Sequence, residues 1–319
     1  MAEDIITDKI VFSVVIPVYN EEESIPPLWT SIRRACGSLG NRYEVIFVDD
    51  GSRDKTFDML KGMNKEDTEV KVIRFSRNFG QTAAMAAGFE YARGEIIVSM
   101  DGDLQNDPTD IPRVISKIEE GFDVVCGWRK NRQDRFCTRR LPSVVANWII
   151  GKVTGVKIHD NGCSLKAYRA SVIKSVALYG EMHRFIPAMT TLAGAKITEI
   201  VVNHHPRRFG KSKYGLGRIW RVMLDIVTVR LITGSASRPA LWFGLPCFSV
   251  FALGLSALLA AAKMYSEQLP FEWLTLSTVG VLFFLLALHL LSLGMIGELC
   301  MRTGNYLPEK ILRPTIKTL

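Results

Sequence analysis

From residue 11 to residue 129, short β-branched runs alternate with helix-forming stretches. VFSVVIPVYN (11–20) is a buried strand that runs out at Pro17 and Asn20. Ser24, with Pro26 and Pro27 after it, starts a helix that reaches about Ser38. YEVIFVDDGS (43–52) is a second strand, ending in two aspartates and a glycine, and a helix follows from about Thr56 to Met63. VKVIRFS (70–76) and EIIVSMD (95–101) are further strands, separated by the helix GQTAAMAAGFEYARG (80–94). A helix over about Thr109 to Glu120 and a strand over DVVCGWR (123–129) complete the series. Alternation at this spacing predicts an open, mostly parallel α/β sheet with helices on both faces.

Three of these strands end in polar clusters: Tyr19-Asn20-Glu21, Asp49-Asp50 and Asp101-Asp103. In open α/β sheets a ligand binds outside the carboxyl ends of the strands. The clusters therefore belong to one crevice despite their separation in sequence. Beyond it the pattern is less regular. SVVANWIIGKVTG (143–155) reads as a helix, CSLKAYRASVIKSV (163–176) as a strand or turn and then a helix, and KITEIVVNHHPRR (196–208) as a strand leaving the core.

Two stretches depart from this pattern altogether. Ala240 to Ala262 and Trp273 to Gly297 contain no Asp, Glu, Lys or Arg. At about 1.5 Å per residue they reach roughly 34 and 37 Å, enough to cross a bilayer. A pair of buried core helices is the competing reading, and the lack of a polar face argues against it. The spans form a hairpin closed by Lys263 to Glu272. Arg230 and Arg238 precede it, and Arg302, Lys310, Arg313 and Lys317 follow. Positive flanks stay on the cytoplasmic side, so the domain before the spans and the tail at 299–319 are expected in the cytoplasm, in a multi-pass protein of the inner (plasma) membrane. MAEDIITDKI has no signal-peptide pattern. Between residues 214 and 239, Arg218, Arg221, Asp225 and Thr228 fall opposite Leu216, Ile219, Trp220, Met223, Val227 and Leu231. That is an amphipathic helix, either packed on the domain or lying in the membrane interface, and its place before a span favours the interface. Gly244, Gly254, Gly280 and Gly294 permit helix packing, which leaves a homo-oligomer open.

Charge changes the picture in one respect. The 319-residue chain carries a formal net charge of +8. Its basic residues cluster at 128–140 and 204–221. No nucleic-acid motif accompanies them, so anionic headgroups or a phosphorylated substrate fit better than nucleic acid. The six cysteines have no C-x-x-C pair and read as reduced structural thiols.

Asp101 and Asp103 carry the candidate chemistry. Two carboxylates at a strand end suit a hard cation such as Mg²⁺ or Mn²⁺, which binds one or two carboxylates plus substrate phosphates. Asp-x-Asp alone is a weak signal, and a solvated turn is the alternative. VDDGS at an earlier strand end strengthens it, because Asp50 can accept from a base or ribose. Asp107, followed by Pro108, reads as a cap. FGKS (209–212) lacks the first P-loop glycine, since position 205 is His. No G-x-G-x-x-G follows a strand.

VVIPVYNEEESI, VDDGSRDKT, RNFGQTAAMAAGFEYARG, MDGDLQNDP, GWRKNR, HDNGCSLKAYR and RRFGKSKYG occur in one order, and the chain resembles the family 2 glycosyltransferases of GT-A fold. Within them it is similar to the polyprenyl-phosphate sugar transferases, closest to the bacterial undecaprenyl-phosphate glucosyltransferases and related to the dolichyl-phosphate mannose synthases. The resemblance covers about residues 10–220 and implies a GT-A domain over 1–213. It implies that Pro17, Tyr19, Glu21, Val48 and Asp50 hold the nucleoside, and that Asp101, Asp103 and Gln105 ligate the metal. Gly102 would let the backbone approach. Arg129 would meet the diphosphate or sugar, Arg207 and Lys213 would clamp phosphate, and Asp160 stands where the family is proposed to keep a base. D-G-D replaces the commoner D-A-D. The Q-x-x-R-W signature of polymer-forming synthases is absent. The implied reaction is inverting transfer of a hexose, glucose from UDP-glucose first and mannose from GDP-mannose as the alternative, to a polyprenyl phosphate. A tethered nucleotidyltransferase and a nucleotide-sugar-binding scaffold are the readings from other classes.

Overall fold

A computed structural model describes residues 9–130, 147, 150–152, 155–176, 178, 180, 182–192, 194–209, 239–269, 271–303 and 316–318. The expected amphipathic helix at 216–231, most of the helix at 143–155, and Lys213 lie outside these residues.

The elements run β1 (Phe12–Val18), α1 (Ile25–Gly37), β2 (Tyr43–Asp49), α2 (Thr56–Glu66), β3 (Val70–Phe75), α3 (Gln81–Tyr91) and β4 (Ile96–Ser99). A single 3₁₀ turn (Pro108–Asp110) leads into α4 (Ile111–Glu119), followed by β5 (Val124–Trp128), β6 (Lys166–Arg169), the one-turn α5 (Ala170–Ile173), α6 (Ile186–Leu192) and β7 (Ile197–Val201). Two long helices, α7 (Pro239–Ser266) and α8 (Glu272–Thr303), precede a short β8 (Ile316–Thr318). The expected strands and helices up to residue 129 are all present, with ends moved by a few residues.

The strands form one sheet in the order β7-β5-β6-β4-β1-β2-β3-β8. β4, β1, β2 and β3 are mutually parallel, and β5 pairs parallel with β7. β6 is inserted antiparallel between β4 and β5. This departs from a simple parallel series and matters for the site. The N-terminal end of β6 lies at the pole where the parallel strands finish. Residues just before Lys166 are thereby delivered to the crevice.

Alternation along β1 explains the two layers. Phe12, Val14 and Ile16 join Leu28 and Ile32 of α1, Leu60 of α2 and Val114, Ile115 and Ile118 of α4 in one buried cluster. On the other face, a Cβ at Gly88 of α3 would stand 2.2 Å from the Val15 side chain. That glycine sets the close approach of α3 to the sheet. At the pole opposite the crevice, buried Glu44 accepts from the Ser13 hydroxyl at 2.7 Å and the Arg93 amide at 2.7 Å. Ser13 in turn accepts from the Gly94 amide at 2.9 Å.

The chain divides into two compact units, the sheet domain with β8 and the helical hairpin. β8 returns from the tail to pair antiparallel with β3, Arg74 opposite Lys317. In the hairpin, α7 and α8 are long and apolar enough to cross a membrane by length and composition. Leu245, Phe248 and Leu259 are 73%, 75% and 64% exposed, which core helices of a soluble domain would not leave open. The hairpin seam uses the small residues. A Cβ at Gly254 would stand 3.2 Å from the Gly280 carbonyl, one at Gly280 2.7 Å from Leu258, and one at Gly294 3.1 Å from Phe243. Three of the four glycines that left an oligomer open thus serve packing within the chain, and Gly244 has open space around it.

Cys36, Cys126 and Cys163 are buried free thiols, pushed up by that burial to about 12, 12 and 11. They are inert at neutral pH.

Two glycines separate packing from propensity. A Cβ at Gly94 would lie 2.6 Å from the β1 backbone at Phe12, whereas exposed Gly62 in α2 has nothing within 4 Å. Gly94→Ala is expected to destabilise the domain by about 1–3 kcal/mol, and Gly62→Ala to stabilise it by about 0.5–1 kcal/mol. Thermal unfolding of the purified protein in detergent checks both signs.

Candidate active site

The crevice begins where two loops are tied together. Asn20, in the left-handed region at φ 51°, donates its amide to Ser52 Oγ at 2.9 Å and accepts the Arg53 amide at 2.8 Å. The Glu21 amide donates to Thr56 Oγ1 at 2.9 Å. The ends of β1 and β2 are therefore one platform, with Pro17, Tyr19 and Glu21 half-buried on it. Asp50 braces the third loop: its two oxygens accept the Phe79 amide at 2.7 Å and the Gly80 amide at 2.9 Å. Burial pushes its carboxyl up to about 6, against the pull of those two amides. Gly51 is at φ 72°, and a Cβ there would stand 2.5 Å from the Arg77 backbone. Val48 requires a correction. It is fully buried, with a side-chain carbon 3.2 Å from where a Gly88 Cβ would be, so its side chain belongs to the core beneath α3 rather than to a nucleoside.

The aspartates stand at the end of β4. Asp101 Oδ1 accepts from Gln81 Nε2 at 2.6 Å, and Asp103 Oδ2 from Arg207 Nη2 at 2.7 Å. Burial and the neighbouring Asp103 charge push the Asp101 carboxyl up to about 6, against the Ser164 hydroxyl, Arg129 and Lys166. Two carboxylates so placed fit a divalent cation, because they repel each other and a hard cation takes one or two carboxylates together with substrate oxygens. Among the described residues no third carboxylate, cysteine or histidine completes a metal cage. The remaining ligands would come from Gln105, water or substrate oxygens, the pattern Mg²⁺ and Mn²⁺ favour. Gly102 packs on β1, where a Cβ would meet Val18 at 2.7 Å. Leu104 turns through φ 62°, a rare conformation for a bulky residue, and redirects the chain between Asp103 and Gln105. Gln105 is pinned through its backbone: its amide donates to Asp103 Oδ1 at 3.1 Å and its carbonyl accepts from the His205 amide at 2.8 Å. Asp107 is a cap, as expected, accepting the Thr109 amide at 3.0 Å.

Arg129 leaves β5 and Asp160 precedes β6, and they form a buried bidentate pair. Arg129 Nε donates to Asp160 Oδ2 at 2.7 Å and Nη2 to Oδ1 at 2.9 Å. Burial works against the guanidinium charge, but the hydrogen bonds it donates to Asp160, with the nearby Cys163 and Asp101, outweigh that and raise the Arg129 pKa. Both oxygens of Asp160 are engaged, which is the geometry of an anchor. Buried Lys166 donates to the carbonyls of Asn161 and Cys163 and holds the turn beneath it.

Several contributors were not singled out from sequence. Gln81 sits at the first turn of α3, and Ser164, the Asp101 partner, also accepts from Asn106 Nδ2 at 2.7 Å. Trp128 stacks on His159 at 4.3 Å between ring centroids, and His159 pairs with Glu199. Trp128 and His159 flank Arg129 and Asp160 in sequence, and that adjacency was the available signal. Glu21, Asp101 and Asp103 all act on Arg207, so the β1 loop, the β4 end and the segment after β7 meet in one place.

The sequence profile described as glycosyl transferase family 2 matches residues 13–177. The chain belongs to glycosyl transferase family 2. Dodecaprenyl-phosphate galacturonate synthase of Rhizobium johnstonii is 44% identical to this glycosyltransferase over 304 residues, covering 91% of this chain and 88% of that protein. Undecaprenyl-phosphate 4-deoxy-4-formamido-L-arabinose transferase of Salmonella paratyphi B is 38% identical, covering 92% and 89%. Among solved structures, glucosyl-3-phosphoglycerate synthase from Mycobacterium tuberculosis with Mn²⁺ and UDP-glucose is similar in fold. Its TM-score is 0.54 at 18% identity, covering 70% of this chain and 78% of that one. The glycosyltransferase therefore has a GT-A domain, followed by two apolar helices.

Asp160→Ala would leave the Arg129 charge buried and unpaired, and is expected to cost about 3–5 kcal/mol. Arg129→Met with Asp160→Leu should recover most of that stability while activity stays lost. Denaturation midpoints beside turnover separate the two contributions.

Proposed function

We propose that this glycosyltransferase moves a sugar from a nucleotide donor to the phosphate of a polyprenol at the cytoplasmic face of the membrane. The observation that carries the reading is the Asp101–Asp103 pair facing Arg207, with the Arg129–Asp160 pair beside it. The two relatives, which share about nine-tenths of the chain's length, are named for lipid phosphates of this kind.

Asp101, Asp103 and Gln105 would hold Mg²⁺ or Mn²⁺, which when bound neutralises charge growing on the leaving diphosphate. Pro17, Tyr19, Glu21 and Asp50 form the nucleoside platform, with Asp50 also holding the loop at Phe79. Arg207, and Lys213 after it, bind diphosphate oxygens as that charge develops. Arg129 is aimed by Asp160 and meets the diphosphate or sugar with its remaining donors. The acceptor is a phosphate monoester whose second pKa is about 6, so it is largely deprotonated at neutral pH. It needs no strong base, and the engagement of both Asp160 oxygens by Arg129 agrees with an orienting role for that carboxylate. A single displacement gives a β-linked product from an α-linked donor.

The two relatives are named for different sugars, and the 44% identical one, named for galacturonate, makes that the first sugar to test, with glucose and mannose as further arms. The hairpin supports a multi-pass inner-membrane protein. β8 follows it and pairs with β3 ahead of it, which agrees with two crossings between them.

The test is transfer of labelled sugar to undecaprenyl phosphate in detergent micelles, using UDP-galacturonate, UDP-glucose and GDP-mannose. One donor is expected to give lipid-linked sugar and a nucleoside diphosphate, with activity abolished by a chelator. Asp103→Ala is expected to lower turnover by about 10²–10³-fold or more while the protein stays folded. Pyrophosphate release, or an active Asp103→Ala variant, would overturn the assignment.

A further inference from the structure

The segment from Asn203 to Arg207 is laid along the Asp103–Asp110 loop and tied to it repeatedly. The Asn203 amide donates to Asp110 Oδ2 at 2.7 Å, and His204 forms an antiparallel bridge with Asn106. The His205 amide donates to the Gln105 carbonyl at 2.8 Å, and its ring pairs with Asp107 Oδ2 at 3.1 Å. Arg207 then reaches Asp103 at 2.7 Å, with its side chain 24% exposed and that of Asp103 10%. The guanidinium is thus placed by the backbone and is not a surface side chain that happens to find an acid.

This arrangement sets a conflict. The carboxylate that receives Arg207 is one that would ligate the cation. Two cations share one carboxylate comfortably only when further anions sit among them. Asp101 supplies part of that charge, but it already accepts from Gln81 and lies close to Arg129. The next anion to arrive is the diphosphate of the donor.

We propose that Arg207 is the resident counter-ion of Asp103, exchanged for the cation only when a nucleoside diphosphate arrives to receive the guanidinium. The cation and the diphosphate then bind as a coupled pair, each raising affinity for the other, as linkage requires. The strap keeps its backbone ties to Gln105, Asn106 and Asp110, so the exchange is a side-chain swing. Arg207 guards the acidic pair while the site has no donor and clamps the diphosphate once it is there. This rests on the reading of Asp101 and Asp103 as cation ligands.

The experiment is Mn²⁺ binding to the full-length protein in detergent, followed by electron paramagnetic resonance of free Mn²⁺, with and without UDP or GDP. Wild type is expected to bind Mn²⁺ weakly alone and at least tenfold more tightly with saturating UDP. Arg207→Gln is expected to bind Mn²⁺ alone at least fivefold more tightly than wild type, to bind UDP more weakly, and to lose most of the coupling. Arg207→Lys should fall between them, and thermal unfolding of each variant checks that the domain is intact. An Arg207→Gln protein that is folded yet binds Mn²⁺ no more tightly than wild type would overturn the exchange, while leaving the cation site standing. Wild type that binds no Mn²⁺ with either UDP or GDP, or an Asp103→Asn variant that binds it normally, would instead remove the cation site itself and the exchange with it.

Discussion

Two carboxylates crowded at the end of a buried strand are the constraint around which the rest is arranged. Asp101 and Asp103 repel one another where water is partly excluded, and burial beside Asp103 raises the Asp101 carboxyl above its ordinary value. Their partners come from distant places in sequence: Gln81 from the start of α3, Ser164 from before β6, Arg207 from beyond β7. Each crosses to the same pole of the sheet. The acidic pair therefore organises the loops as much as the loops position the pair.

The remaining polar contacts serve rigidity. Asp50 is bound to two amides of the β3–α3 loop, and Asn20 and Glu21 join the first loop to the second. Binding surfaces built from loops lose affinity to ordering entropy unless the ordering is done in advance. Here it is done by hydrogen bonds between loops. Arg129 and Asp160 follow the same logic deeper in the site: each neutralises the other, and the turn beneath them is held by a buried lysine.

The hairpin packs by a different rule. Its outer faces carry exposed Leu and Phe, while Gly254 and Gly280 let the two backbones approach at the seam. Helices that lie in lipid gain nothing hydrophobic by associating, and close contact between small residues at the seam suits that setting. Under the proposed function, a water-soluble donor and a lipid-borne acceptor would call for an enzyme that reaches both, and a sheet domain followed by an apolar hairpin suits that need.

Local periodicity was enough to place β1 to β5 and their helices, because alternation and capping are properties of a few adjacent residues. The crevice was legible for the same reason, since parallel strands joined by helices must finish at one pole. The apolar spans needed only composition. Partner choice was another matter. Nothing near Lys166 tells that its strand enters antiparallel between β4 and β5, yet that placement brings Asp160 to Arg129 and Ser164 to Asp101. Val48 looked like a crevice residue by position, and packing under α3 put it in the core. Which acid Arg207 meets is decided by the strap along Gln105 and Asn106, a contact between segments about a hundred residues apart. The sequence by itself determined which residue types stand at the ends of the strands. The tertiary structure decided which charges face each other, because electrostatic pairing depends on distance in space and the chain encodes that only through the whole sheet.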